Sequence, residues 1–201
     1  MTFRQTAARI AGFTAALILS TQLVLAQNPV VAFETTAGNF KVELNPEKAP
    51  ITVENFLRYV NEGYYNDTLF HRVIEDFMIQ GGGYNSEFQQ KTTYDPIRIE
   101  SDNGLKNKAG TIAMARTGDP NSATSQFFIN TISNSFLNYQ NDRNPGYAVF
   151  GKVIEGMEVV ENISYVDTGA GGPYKRMADV PVEPVIIVKA FVVEAEPAPA
   201  E

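Results

Sequence analysis

The sequence predicts a mostly β protein, built as an antiparallel barrel or sandwich and closed by two helices. Three observations support this class. About eight short segments have the residue types or the alternation of strands. Only two segments have the three- and four-residue spacing of a helix. Strands and helices do not alternate along the chain, as they would in a doubly wound parallel fold, so the sheet is expected to be antiparallel.

The first elements are a hairpin and a helix. Apolar residues alternate with polar ones on both sides of a turn at 36–39, which predicts two strands within 30–44. A helix follows, because Pro50 suits its first turn and an apolar stripe runs through 53–60. Gly63 is placed to end this helix.

The remaining strands are short and are separated by polar or glycine-rich loops. Three glycines at 81–83 should end or kink one strand, and a glycine-rich loop is expected at 169–173. A second helix should begin after Gly156, and a short helical turn is expected at 133–137. Strands are predicted at 69–79, 97–99, 111–116, 126–130, 147–154 and 185–193.

The two ends of the chain have the composition of segments outside the folded domain. Residues 1–26 combine Arg4 and Arg9 with an apolar run and a small-residue ending, which predicts a signal peptide that is cleaved on export. An uncleaved membrane anchor is the alternative, but the apolar core is short for a membrane span. Residues 195–201 alternate Pro, Ala and Glu and should form a disordered acidic tail. One domain is therefore expected over 27–194.

The composition excludes several classes of function. The chain has 16 Lys and Arg against 23 Asp and Glu. Loss of the two leader arginines would lower its net charge from −7 to about −9. An acidic chain without a basic run is a poor binder of nucleic acid or anionic lipid. The absence of cysteine excludes cysteine nucleophiles, thiolate metal sites and disulfides, so the hydrophobic core alone must hold the fold.

The only histidine, His71, has several candidate roles: general base, metal ligand, substrate contact, or a residue that packs and hydrogen-bonds. A metal site needs several His, Cys or carboxylate ligands. A catalytic triad needs an activated serine, and the sequence has no Gly-x-Ser-x-Gly elbow. The packing role is therefore favoured over a substrate contact, and both are favoured over proton transfer. No metal and no cofactor is expected.

Arg72 is the stronger candidate for chemistry, because it lies beside an apolar run and offers five donors in a fixed fork. Phe77, Met78 and Gln80 follow at a spacing that can face one pocket, with an apolar floor and an amide that both donates and accepts. The alternative is that Phe77 and Met78 are simply core residues. The glycines after Gln80 lack the Lys-Ser/Thr ending of a phosphate-binding loop and should shape the backbone instead.

Five motifs follow one another along the chain: Phe-His-Arg-Val-Ile at 70–74, Phe-Met-Ile-Gln-Gly-Gly at 77–82, Ala-Met-Ala-Arg at 113–116, Ser-Gln-Phe-Phe-Ile at 125–129 and Val-Phe-Gly-Lys-Val at 149–153. Together they resemble the cyclophilin-type peptidyl-prolyl cis-trans isomerases. The resemblance covers roughly residues 30–193. The leader and the motif at 146–151 are most similar to the bacterial periplasmic branch of that family.

The resemblance implies a closed eight-stranded antiparallel β-barrel capped by two α-helices, which agrees with the count of elements, and an active site on the outer face of the barrel. It implies an enzyme that accelerates X-Pro bond rotation in exported proteins during folding, without cofactor or covalent intermediate. Its partners would be proline-containing unfolded or folding polypeptides, not nucleic acid nor, after cleavage of the leader, a membrane. A monomer in the periplasm is expected.

By motif, the resemblance gives the catalytic role to Arg72. It gives substrate contacts to His71, Phe77, Met78, Gln80, Ala115, Arg116, Gln126, Phe128, Phe136, Leu137 and Tyr147. Three positions depart from the best-known eukaryotic members. Phe136 stands where they have tryptophan, so weak cyclosporin binding is expected at most. Tyr147 replaces a histidine, and Arg116 replaces an asparagine, a change of little effect if that contact is made by the main chain.

Two other functions remain as alternatives. The first is a cyclophilin-like binding module or holding chaperone, but a pure binder has no need to keep Arg72. The second is a hydrolase that uses His71, which would lose activity on His71→Ala.

Overall fold

Ten β-strands and two α-helices make up the computed structural model, which describes residues 27–171 and 176–194. The strands are β1 (Val30–Thr35), β2 (Gly38–Leu44), β3 (Thr68–Ile74), β4 (Met78–Asn85), β5 (Thr111–Met114), β6 (Phe127–Asn130), β7 (Val149–Glu155), β8 (Thr168–Gly171), β9 (Met177–Pro181) and β10 (Ile186–Val193). The helices are α1 (Pro50–Asn61) and α2 (Met157–Ser164), and a 3₁₀ turn spans Ser135–Leu137. The predicted signal peptide and acidic tail lie outside the described residues.

Eight of the strands close into an antiparallel barrel in the order β1-β10-β3-β4-β6-β5-β7-β2, and β2 pairs back to β1. This arrangement confirms the predicted closed barrel with two helices and excludes the sandwich. The other two strands, β8 and β9, form a separate antiparallel pair, and β9 lies against β3. Within the two described ranges, no helix has the length and apolar composition to cross a membrane.

Both helices close the barrel with one apolar face. Helix α1 begins at Pro50, as predicted, because a first-turn residue needs no N–H partner within the helix. The Glu100 carboxylate accepts hydrogen bonds from the backbone N–H groups of Ile51 (3.1 Å) and Thr52 (2.8 Å), which satisfies two otherwise unpaired donors. Gly156 precedes α2 with a φ of +77°. The helices place six side chains in the barrel core: Val53, Phe56, Tyr59, Val60, Val160 and Ile163.

Aromatic side chains fill the barrel interior. Phe33 stacks on Phe40 with ring centroids 4.7 Å apart. Phe127 meets Phe56 and Phe70 edge-on, at centroid distances of 5.7 and 6.2 Å. Such pairs contribute about 0.5–1.5 kcal/mol beyond the area they bury. The interior is therefore a packed core that needs no disulfide.

Strand alternation separates this interior from a second apolar cluster. Along β6, Phe127 belongs to the interior, whereas its neighbour Phe128 belongs to the second cluster. Because successive side chains of a strand point to opposite faces, the second cluster lies on the outer side of the barrel. This outer cluster consists of Met78, Ala113, Phe128 and Val149. Phe77 packs against it, so Phe77 and Met78 are not part of the interior core.

The apolar run at 69–79 was predicted as one strand, and that prediction is wrong. A turn at 75–77 separates β3 from β4, and Asp76 in it adopts a φ of +52°. Because the aromatic Phe77 lies within this turn, the sequence around the turn resembles a continuous strand. The consequence is a hairpin whose two strands both face the outer cluster.

Predictions for two further segments were also wrong. The strand predicted at 97–99 contributes only a single bridge, because the N–H of Ile99 bonds to the Asn121 side chain and not to a neighbouring strand. Part of the loop predicted at 169–173 belongs to strand β8, which was not predicted because glycine is uncommon in strands. The strand predicted from 147 starts two residues later, at β7.

The three glycines at 81–83 kink β4 but do not end it, since the strand continues to Asn85. Gly82 has a φ of +80°, and the register between β3 and β4 shifts beside it. A Cβ atom at Gly83 would lie 2.6 Å from the amide nitrogen of Gln126. The absence of a side chain at Gly83 therefore leaves the space that Gln126 occupies.

Candidate active site

A groove of about 170 Å³ opens over the outer cluster. Nine of the twelve residues predicted for the site line it: Arg72, Phe77, Met78, Gln80, Ala115, Arg116, Phe128, Leu137 and Tyr147. His71, Gln126 and Phe136 are not among the lining residues. The groove therefore draws on three strands of the barrel (β3, β4 and β6), on residues next to β5 and β7, and on the 3₁₀ turn.

A row of paired residues crosses the groove from strand to strand. Arg72 on β3 is the register partner of Gln80 on β4, and Gln80 is the partner of Phe128 on β6. Phe128 is in turn the partner of Ala113 on β5. Directly opposite side chains on neighbouring strands lie about 4.5–5.5 Å apart at Cβ, so a cation, an amide and an aromatic ring stand side by side.

Arg72 is the cation of this row, and its side chain remains 42% exposed. Its Nε lies 3.7 Å from Oδ2 of Asp179, a residue of β9. A guanidinium stays charged at any physiological pH and can donate five hydrogen bonds in fixed directions. The groove therefore presents a permanent donor beside an apolar floor.

Gln80 is fixed by a second amide behind it. Its Nε2 donates a hydrogen bond to Oε1 of Gln126 over 3.0 Å. That bond uses the donor end of Gln80 and leaves its carbonyl oxygen as an acceptor. Gln126 thus supports the groove without lining it.

His71 is buried, with only 3% of its surface exposed, and its ring meets Tyr84 edge-on at 4.8 Å. Burial lowers the pKa of His71 to about 4, and the nearby Arg72 cation acts in the same direction. The Leu69 backbone, whose effect is second in size to that of burial, and the Gln126 amide raise the pKa. No atom of the described residues lies in good hydrogen-bond geometry with Nδ1. The ring is therefore neutral at pH 7.

The 3₁₀ turn supplies the far wall of the groove. Leu137 lines the groove, whereas Phe136 is 63% exposed beside it. The Phe136 ring stacks on Phe77 with centroids 5.7 Å apart and planes 21° from parallel. Phe136 therefore extends the apolar floor beyond the rim.

A buried network of asparagine side chains holds this wall in place. Asn134 donates from Nδ2 to the Phe77 carbonyl (2.9 Å) and to the Asn130 side chain (2.8 Å). Asn107 donates to the Leu137 carbonyl over 3.1 Å. Satisfied buried networks of this kind rigidify the structure around them. None of these residues was predicted from the sequence, although an asparagine at the end of an apolar strand, as at Asn130, is an indication of such a role.

Arg116 and Tyr147 continue the wall that begins at Leu137, because the Tyr147 N–H donates to the Leu137 carbonyl over 2.9 Å. The Arg116 guanidinium lies 4.6 Å from the centroid of the Tyr147 ring, a cation–π distance. Its Nε donates to the Gly146 carbonyl over 2.9 Å, and Nη1 donates to Thr117 O over 2.8 Å. The Phe128 ring meets the Tyr147 ring edge-on, with centroids 5.5 Å apart. The side chain of Arg116 thus has a structural role in the wall.

Metal-ligand clusters do not occur near the groove: across residues 27–171 and 176–194, no three His, Asp or Glu side chains are grouped closely enough to hold an ion. The groove offers hydrogen-bond donors, one amide carbonyl and an apolar floor. Such a surface can hold an apolar ring and polarise an amide beside it.

The chain matches the family model described as cyclophilin type peptidyl-prolyl cis-trans isomerase/CLD over residues 30–192. It is 52% identical to peptidyl-prolyl cis-trans isomerase A of Dickeya dadantii over 164 residues, or 82% of this chain and 84% of the relative. It is 50% identical to peptidyl-prolyl cis-trans isomerase B of Escherichia coli over 167 residues, or 82% of this chain and 100% of the relative.

A solved structure supports the same assignment. The crystal structure of a cyclophilin type peptidyl-prolyl cis-trans isomerase from Cryptosporidium parvum superimposes with a TM-score of 0.65 at 29% identity, covering 84% of this chain and 99% of that one. The same protein in the presence of the dipeptide Ala-Pro gives a TM-score of 0.63. With the fold, the groove and these relatives in agreement, the chain belongs to the cyclophilin-type peptidyl-prolyl cis-trans isomerase family and is a peptidyl-prolyl cis-trans isomerase.

Proposed function

We propose that this isomerase accelerates X-Pro bond rotation in exported polypeptides as they fold in the periplasm, and that the groove is its active site. Arg72 is the catalytic residue. The observation that carries the proposal is the row formed by Arg72, Gln80 and Phe128 across β3, β4 and β6. It places a permanently charged donor beside an apolar floor.

The reaction sets a definite energetic requirement. The partial double bond of an amide gives a rotation barrier of about 18–20 kcal/mol. Uncatalysed X-Pro isomerisation takes roughly tens to hundreds of seconds. Shortening this to milliseconds requires about a 10⁵-fold acceleration, or roughly 7 kcal/mol of transition-state stabilisation. No bond is broken, so the reaction needs neither a nucleophile nor a covalent intermediate.

Arg72 supplies a hydrogen bond that favours the transition state. In the twisted amide the proline nitrogen regains its lone pair and accepts a hydrogen bond, whereas in the planar ground state it accepts poorly. A guanidinium N–H of Arg72 donates this bond. Because the interaction strengthens only as the amide twists, it lowers the barrier and does not merely tighten binding.

The other groove residues hold the two ends of the rotating bond. Phe77, Met78, Phe128 and Leu137 receive the proline ring. Gln80, fixed by Gln126, orients the peptide on the other side of the bond, together with main-chain groups near Arg116. His71 is buried and lies outside the groove lining, so it serves packing and not proton transfer.

Replacement of Arg72 tests the catalytic assignment. Arg72→Ala should lower kcat/KM for a proline-containing test peptide by about 10²- to 10³-fold, the effect of removing one transition-state donor. Arg58→Ala removes the same charge from α1, outside the groove lining, and should leave kcat/KM unchanged. Undiminished turnover in Arg72→Ala would contradict the assignment. Suppression of client aggregation that survives Arg72→Ala would favour the holding-chaperone alternative.

The location rests on the composition of residues 1–26, so it has a test of its own. Expression of the full chain in a Gram-negative bacterium should yield a periplasmic protein whose mass corresponds to a start at Gln27. Full-length protein retained in the cytoplasm would contradict the proposed export.

A further inference from the structure

The ion pair between Arg72 and Asp179 joins the groove to an element outside the barrel. Asp179 lies on β9, in the small β8–β9 pair, and its Oδ2 faces Nε of Arg72 at 3.7 Å. Both side chains are about two-fifths exposed, at 42% and 40%. The motifs that predicted the groove do not include Asp179.

A β-bulge turns the Asp179 side chain toward this contact. In the pairing of β8 with β9, Gly169 faces Val180 and Gly171 faces Met177. Two residues of β9, Ala178 and Asp179, therefore stand opposite the single residue between those glycines. Bulges of this kind bend a strand and redirect a side chain, and they are common beside active sites.

Asp179 also adopts a left-handed backbone conformation, with a φ of +59°. For an L-residue other than glycine this conformation costs roughly 1–2 kcal/mol, although Asp and Asn tolerate it best. Strain of this size persists only where the surroundings enforce it. Here they do, since Val180 and Pro181 next to it are buried and the N–H of Val182 bonds to the Asp167 carbonyl over 2.8 Å.

We propose that Asp179 is a positioning residue for Arg72, and this inference rests on the proposed catalytic role of Arg72. The carboxylate faces Nε, one edge of the guanidinium fork, and leaves the terminal nitrogens Nη1 and Nη2 for the proline nitrogen. Asp179 does not touch the substrate. It limits the rotation of the Arg72 side chain, so less conformational freedom is lost when the twisted amide forms.

This role predicts a small and specific kinetic defect. Exposed ion pairs are weak, so Asp179→Asn should lower kcat/KM about threefold at low ionic strength. The decrease should lie in kcat with KM unchanged, because Arg72 acts on the transition state. Added salt should remove the difference between wild type and variant, because the Debye length falls to about 3 Å at 1 M salt.

The experiment compares wild type, Asp179→Asn and Asp179→Gly in a proline-peptide isomerisation assay at low and high salt. Both replacements accept a positive φ, so the bulge is retained. Glu183→Gln removes the same charge four residues further on, at an exposed position, and should match wild type. Melting temperatures check the fold, and those of Asp179→Asn and Asp179→Gly should stay close to wild type.

Arg72→Ala, measured in the same assay, separates the two claims. If Arg72→Ala keeps full activity, the proposed catalytic role fails, whatever the Asp179 variants do. If Arg72→Ala loses activity while Asp179→Asn equals wild type in kcat at low salt, the positioning role alone is overturned. A defect that persists at 1 M salt, or that accompanies a fall in melting temperature, also overturns it, because a purely structural role would produce that result.

Discussion

The barrel interior and the groove are built on opposite faces of the same strands, and they differ in what their side chains do. Phe127 and Phe128 are neighbours on β6, yet the first contacts interior rings and the second forms the groove floor. The interior cluster consists of aliphatic and aromatic side chains, whereas the groove combines an apolar floor with the charged Arg72 and the amide of Gln80. Stability and catalysis should therefore be separable by single substitutions on one strand.

Alanine at these two phenylalanines should give the largest effects. Phe127→Ala should lower the free energy of unfolding by about 3–5 kcal/mol, with kcat/KM per folded molecule nearly unchanged. Phe128→Ala should lower kcat/KM at least about tenfold. It should destabilise less, because Phe128 is buried under the groove floor, where water can enter the space that its ring leaves. Urea unfolding and the peptide assay measure the two quantities.

If Phe127→Ala fails to fold, Phe127→Leu should still show a loss of about 1–2 kcal/mol with full activity. Equal losses of stability and activity at both positions would show that the two faces are not independent.

Acid should destabilise the protein through His71, which is neither part of the interior cluster nor a groove residue. The pKa of His71 is lowered to about 4 in the folded state from an ordinary value of 6.5. The unfolded chain therefore binds the proton first. The stability that the neutral ring contributes is complete above pH 6.5 and is lost as the pH falls from 6.5 to 4, by roughly 3 kcal/mol in total and about 2 kcal/mol at pH 5.

The His71 contribution can be isolated, because the chain has one histidine. Urea unfolding at pH 7.5 and pH 5 should show a loss of stability in wild type that is smaller by about 2 kcal/mol in His71→Phe. The carboxylates titrate in both proteins and cancel in the comparison. The same loss in both would show that His71 is not the group responsible.

The rim of the groove should tolerate change that the interior would not. Phe136 is 63% exposed, so Phe136→Trp should leave the free energy of unfolding unchanged. A larger ring with an N–H donor should tighten cyclosporin binding about tenfold, or 1.4 kcal/mol, from a weak starting value. Tyr165→Trp adds the same ring at a position that is 62% exposed and outside the groove, and should change nothing. Equal affinity in wild type and Phe136→Trp would contradict the role given to Phe136.

The parts of the molecule that could be predicted from the sequence are those that depend on a local pattern of residues. Alternation and helical spacing predicted an antiparallel barrel or sandwich with two helices. The resemblance to the cyclophilin family implied the closed barrel, and it gave all nine groove residues. Contacts between distant segments left no such pattern. Asp179 lies beside Arg72 on a bulge of β9, a strand that the sequence did not predict, and Asn107 reaches Leu137 only in the folded chain.

The turn at 75–77 shows the opposite failure, in which a local pattern was present but misleading. Phe77 continues an apolar run, so a strand was predicted where the chain reverses. Phe77 packs against the outer cluster beneath the groove and not in the barrel interior. Residue type alone therefore does not distinguish an apolar side chain that lines a surface site from one that belongs to the core.

The most direct test of the account is whether Arg72 acts on the rotating bond or on binding. NMR exchange spectroscopy of a proline-containing peptide, with wild type and Arg72→Ala, measures the rate of catalysed cis-trans exchange and the dissociation constant together. If Arg72 acts on the rotating bond, exchange should fall by at least about 10²-fold while the dissociation constant changes less than about threefold. Continued fast exchange in Arg72→Ala, or a loss of binding as large as the loss of rate, would contradict it.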